Sequence, residues 1–190
     1  MNTDPRFEQL ISDGLTASRE GRTDAALALF AEAGALVPAS GIPPFLIASE
    51  EAGAGNMDAA EAAFANAVLL EPTFTLARYQ LGLLQFSSKR AGVALLTWQP
   101  LFELPESDAL LHFVRGFAEL AQDHFQEAQA HYRVGLRCQD ANPAVAADIM
   151  KVVEKVEQLL GGPQDPAPPG AGEEEAANHF LLGGYAKGLH

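Results

Sequence analysis

His124, His131 and Cys138 recur at intervals of seven residues. Three soft ligands in such a series invite a metal reading. Successive members of a helix at that spacing lie two turns apart, about 10.5 Å by helix rise, which is too far for one ion. The expected role is a partly exposed helix face, with no metal bound. His112 and His179 have no evident partner. No G-x-S-x-G nucleophile motif occurs. Gly161-Gly162 and Gly183-Gly184 are not followed by Lys-Ser or Lys-Thr, so no phosphate loop is present. The chain is therefore expected not to be an enzyme: it offers no catalytic residues and no cofactor site.

The elements that carry these residues follow a period of 34. Residues 7–40, 41–74, 75–108 and 109–142 align without gaps. The eighth place reads Gly14, Ala48, Gly82, Gly116, the twentieth Ala26, Ala60, Ala94, Ala128, and the twenty-fourth Phe30, Phe64, Trp98, Tyr132. Small residues let two helix backbones approach, and the aromatic is expected to fill the space between successive helix pairs. Such a pair cannot bury its apolar face alone, and stacking makes one continuous core.

This pattern resembles the tetratricopeptide repeat family over residues 7–142. Gly21 and Gly55 at the fifteenth place, and Pro38 and Pro72 at the thirty-second, agree with it. The resemblance implies an all-α fold, a right-handed superhelical array of helix pairs (an α-solenoid) closed by a C-terminal capping helix. The sequence also departs from the family. The seventh place reads Asp13, Ile47, Leu81, Arg115 and the eleventh Ala17, Glu51, Gln85, Glu119, where large residues are usual. Lys89 and Asp123 replace the turn glycine in repeats three and four. Pro100 falls inside a second helix and should kink it.

Helices are expected at 7–20, 23–36, 43–54, 57–70, 75–88, 91–104, 108–121 and 124–138. Asp4 caps the first, Asn56 and Asp123 cap second helices, and Ser107 caps a first helix. A capping helix at 143–160 places Val145, Ile149, Val152, Val153, Val156 and Leu159 on one side, with Asp148, Lys151, Glu154, Lys155 and Glu157 on much of the rest. Residues 1–160 thus form the repeat domain. Residues 161–175, rich in Pro, Gly and Glu, read as a linker, and residues 176–190 as an apolar tail.

The resemblance further implies that the second, fifth, ninth and twelfth places line a concave groove. They include Ile11, Leu15, Phe45, Leu76, Tyr79, Leu83, Phe86, Leu110, Phe113, Phe117 and Leu120, with Tyr79, Phe86, Phe113 and Phe117 as anchors. Family members that grip a partner's C-terminal carboxylate carry Lys, Asn and Arg there, because a carboxylate needs several donors. This groove suits an apolar strand or helix face instead. The tail side chains Phe180, Leu181, Leu182 and Tyr185 are a candidate plug for it, in the same chain or a neighbour.

Net charge is −13, from 12 basic and 25 acidic residues among 190. That balance argues against nucleic acid and anionic membrane surfaces. No stretch of about 18 apolar residues exists, so no membrane insertion is expected. The start lacks the pattern of a secretory signal, and Cys138 is the one cysteine, which fits a reducing compartment. The expected location is cytoplasmic. The expected function is a protein-binding adaptor or scaffold that holds an apolar segment of another protein. One alternative is a chaperone for a secreted hydrophobic protein, because size, acidity and groove resemble the tetratricopeptide chaperones of type III secretion. Another is a homo-oligomer assembled by tail-groove exchange.

Overall fold

A computed structural model describes residues 4–161, and within them the chain is all-helical. The helices are α1 (Pro5–Arg19), α2 (Thr23–Leu36), α3 (Ile42–Gly53), α4 (Met57–Leu70), α5 (Thr75–Ser87), α6 (Ala91–Trp98), α7 (Ala109–Leu120), α8 (Phe125–Gly135) and α9 (Pro143–Gly161). A 3-10 segment, Gln99–Glu103, follows α6. The chain divides into two compact units, one reaching Leu84 and the other starting at Gln85.

In the first unit, α1 packs along α2 and α3 along α4. Phe30 lies across Gly14, where a Cβ would overlap its ring. The position-24 aromatic therefore fills the space left by the small residue of its own pair, and not only the space between pairs. Ala17, Ala26, Ala33, Ala48, Ala60 and Ala67 are almost wholly buried, so these backbones sit close. Pro43 and Pro44 occupy the first turn of α3, where a missing N–H costs no helix hydrogen bond. The Asp4 carboxylate accepts from Arg6 N at 2.9 Å and caps α1, as expected.

In the second unit, α7 packs along α8 and α8 along α9. Gly116 lies under the Tyr132 ring, repeating the Gly14–Phe30 contact. Pro100 does not kink a continuing α-helix. It lies in the first turn of the 3-10 segment, second after Gln99, where a residue without N–H fits, and Leu101 from that segment is buried. The α7 cap is Asp108, not Ser107: its carboxylate accepts from Leu110 N at 2.8 Å, and Asp140 accepts from Ala109 N at 3.2 Å. Asn142 accepts from Ala144 N and Val145 N at the start of α9.

Val145, Ile149, Val152 and Val156 form the buried stripe of α9, while Leu159 is exposed. Asp148 is buried rather than on the charged face. It occupies the i+3 place of the stripe counted from Val145, and Lys151 Nζ lies 2.8 Å from its carboxylate. At the far end of the helix, Glu157 accepts from Arg133 at 2.8 Å and Gln129 at 3.0 Å, so α9 runs back along α8.

Four turns between helices share one hydrogen-bond pattern. Arg22 N reaches Ala17 O, Asn56 N reaches Glu51 O, Arg90 N reaches Gln85 O, and His124 N reaches Glu119 O, all within 2.9–3.0 Å. In each turn the preceding residue has positive φ: Gly21 at 73°, Gly55 at 85°, Lys89 at 61° and Asp123 at 60°. This is the Schellman ending of a helix. Lys89 and Asp123 adopt the left-handed conformation that glycine adopts elsewhere. Asp123 therefore does not cap α8, and Asn56 makes no side-chain cap to α4; its amide binds Glu51 at 2.7 Å.

Candidate partner-binding faces

The expected groove positions divide into two groups. In the first unit, Ile11, Leu15 and Leu76 are half-buried and pack at the edge of the core. Glu8 on the same face of α1 is exposed, and Ser18 bonds to Glu50 of α3. Phe45 is buried, its ring 4.9 Å from Phe74 and 5.8 Å from Phe64. Tyr79 and Leu83 are buried as well.

In the second unit, Phe86, Leu110 and Leu120 are half-buried. Phe113 and Phe117 are core side chains and not exposed anchors. The Phe113 ring fills the place of a side chain at Gly135, where a Cβ would come within 2.5 Å of it. Phe117 sits 5.1 Å from Phe86, 5.4 Å from Trp98 and 5.4 Å from Tyr132. Rings at those separations have neighbours on several sides. The physical reason is the smallness of Gly116 and Gly135, which draws α7 so close to α8 that its aromatic places turn inward.

A titratable cluster that the sequence did not announce lies between α7, α8 and the loop before α7. His112 is buried, and its Nε2–H donates to the Glu106 carbonyl oxygen at 2.8 Å. Its Nδ1 has no partner among the described residues. Arg115 grips the Glu106 carboxylate with two bonds of 2.8 Å. That hydrogen bond and the guanidinium charge hold the Glu106 carboxyl below its ordinary value of 4.5. His131 stacks on His112 with centroids 6.4 Å apart. Burial, then Arg115 and His112, push the His131 pKa below 6.5. Tyr132 OH is buried and has no partner among the described residues, and burial raises its pKa well above 10.0. Signals for the cluster were faint: Glu106 and Arg115 are nine residues apart across a loop, and a backbone carbonyl leaves no mark in the sequence.

His124 faces Glu119 at 2.9 Å and Cys138 lies over Val134 O, so the three residues of the seven-residue series meet different neighbours. Among the described residues, no group of three or more His, Cys, Asp or Glu is placed to hold a metal ion. No helix among them is long and apolar enough to cross a membrane. Phe180, Leu181, Leu182 and Tyr185 lie outside the described residues.

Two solved structures share this fold, and a third is similar at a lower level. The MamA RS-1 ArsTM double mutant matches with a TM-score of 0.58 at 16% identity, over 85% of this chain and 99% of the other. MamA from residue 41 to its end, from Desulfovibrio magneticus RS-1, matches with a TM-score of 0.58 at 15% identity, over 84% of this chain and 99% of the other. The Sgt2 TPR domain from Aspergillus fumigatus covers 90% of this chain and 95% of its own, with a TM-score of 0.43 and 18% identity. No family model matches the chain, and no curated protein matches it. At the level of fold, the described residues form an all-α chain of helix pairs like that of the two MamA structures.

Proposed function

We propose that the protein is a non-catalytic interaction module that binds an apolar segment of another protein on its first-helix faces. The observation that carries this reading is the survival of half-buried apolar side chains at first-helix places: Ile11, Leu15 and Leu76 in one unit, Phe86, Leu110 and Leu120 in the other. Each leaves part of its apolar surface in water, and covering that surface is favourable at about 25 cal/mol per Å². The same places carry no Lys or Arg, so recognition is by shape and apolar area rather than by charge pairing. The tetratricopeptide type of fold supports the reading, because stacked helix pairs present such faces side by side.

Peptides selected from a random library for binding to the full chain test it. Selected peptides are expected to be rich in Leu, Ile and Phe, to bind equally well with an amidated C-terminus, and to lose at least tenfold in affinity on Leu15→Glu or Leu110→Glu. Binding that needs a free carboxylate, or that ignores both substitutions, would overturn the assignment.

A further inference from the structure

We infer that the apolar tail of this chain docks on the second unit, over Phe86 and Leu120, and competes there with the external segment; this rests on the binding role proposed above. Three observations meet at that place. The first is where the described chain ends. Glu157 is held by Arg133 and Gln129, so α9 runs antiparallel to α8, and Gly161 lies one turn further on, toward the start of α8. The turn that begins α8 also ends α7, so the chain leaves α9 at the end of the unit that carries Leu120. The second is length: 18 residues separate Gly161 from Phe180, a coil reach of about 24 Å, against about 18 Å for the whole of a 12-residue helix such as α7.

The third is chemistry. Phe86 and Leu120 hold the same twelfth place, and the Phe86 ring is 5.1 Å from Phe117, so an apolar side chain laid on Phe86 extends an aromatic cluster already formed by Phe117, Trp98 and Tyr132. Directly after Phe86, the exposed turn carries Lys89 and Arg90. The tail presents the matching order of groups: Glu173, Glu174 and Glu175, then Phe180, Leu181, Leu182 and Tyr185. An acidic run beside a basic turn sets the register, and the apolar residues then fall on apolar surface. A tethered segment of this length acts at an effective concentration of order millimolar, so even weak docking masks the site.

The test uses full-length protein and a fluorescein-labelled peptide of residues 173–190. The full chain carrying Phe180→Asp, Leu181→Asp, Leu182→Asp and Tyr185→Asp should bind this peptide saturably at one per chain. The unsubstituted chain should bind at least tenfold more weakly, because its own tail competes. Adding Leu120→Asp, or the milder Leu120→Ser, to the tail variant should remove binding with the far-ultraviolet helix signal retained, and Lys89→Glu with Arg90→Glu should weaken it severalfold and flatten its salt dependence. Equal binding to both chains, or none to the tail variant, overturns the inference. Self-association that grows with concentration and disappears in the tail variant also overturns it, in favour of exchange between copies. If library-selected peptides still bind and remain sensitive to Leu15→Glu while the tail peptide does not bind, the tail inference fails alone and the binding role stands.

Discussion

His112 and His131 stack across the contact between α7 and α8, their ring planes 26° from parallel. Arg115 adds a fixed positive charge beside them, and the loop carbonyl of Glu106 accepts a hydrogen bond from His112 Nε2–H. A proton added to His131 meets one cation and a second imidazole in partly dry surroundings, so the folded state resists it.

Stability should accordingly fall in mild acid. The folded His131 pKa lies below its unfolded value of 6.5, so between the two values the unfolded chain binds more protons and stability rises with pH. The contribution is neutral above about 6.5 and turns unfavourable as pH falls below it, down to the folded pKa. Urea midpoints measured from pH 7.5 to 5 should decline below about 6.5, and His131→Gln should flatten that decline. An unchanged slope in the variant would assign the acid loss to other groups.

Tyr132→Phe should stabilise the protein by up to about 1 kcal/mol. The hydroxyl is buried with no partner among the described residues, so its removal relieves a desolvated donor while the ring keeps its place over Gly116. A loss of stability in urea unfolding would mean that the hydroxyl is satisfied in solution.

Gly116→Ala should act in the opposite direction, by about 1–3 kcal/mol, because the new Cβ overlaps the Tyr132 ring. Gly14→Ala should behave alike against Phe30. Thermal unfolding of the two variants checks the claim that the small and aromatic places are partners within one pair.

Lys89→Gly and Asp123→Gly should each raise stability, by about 1 kcal/mol for the lysine and less for the aspartate, which tolerates positive φ better. Both residues hold φ near 60°, and glycine occupies that place in the other two turns. A melting temperature that does not rise on Lys89→Gly would show that the lysine side chain contributes more than its backbone strain costs.

Phe117→Glu and Leu15→Glu separate core from face. Phe117 is buried between Phe86, Trp98 and Tyr132, and a charge there should cost more than about 4 kcal/mol and abolish the cooperative unfolding transition. Leu15 is half-buried, and its substitution should cost about 1–2 kcal/mol, leaving the circular dichroism of the native fold.

The helices were legible wherever the period was clean. Thr23–Leu36 and Met57–Leu70 match their expected limits to the residue, because the turn before each and the small-aromatic spacing inside each agree. The expected helix 91–104 stops at Trp98, since a proline can begin a 3-10 turn as readily as kink a helix. The faces were less legible. Place numbers taken from a family do not register that Gly116 and Gly135 bring α7 and α8 together, so Phe113 and Phe117 read as surface when they are core. Asp148 reads as surface by its charge, although its spacing from Val145 puts it on the buried stripe. The His112 cluster depends on a backbone carbonyl, which no side-chain pattern reports.

The shared turn has a consequence for how such a chain grows or shrinks. Each ending at Gly21, Gly55, Lys89 and Asp123 is closed by the same backbone bonds, so the junction is set by counted residues and not by which side chains happen to meet there. Length is then an adjustable dimension: a 34-residue segment added or removed in phase leaves every joint as it was, while a shift of a single residue rotates all that follows off its seat.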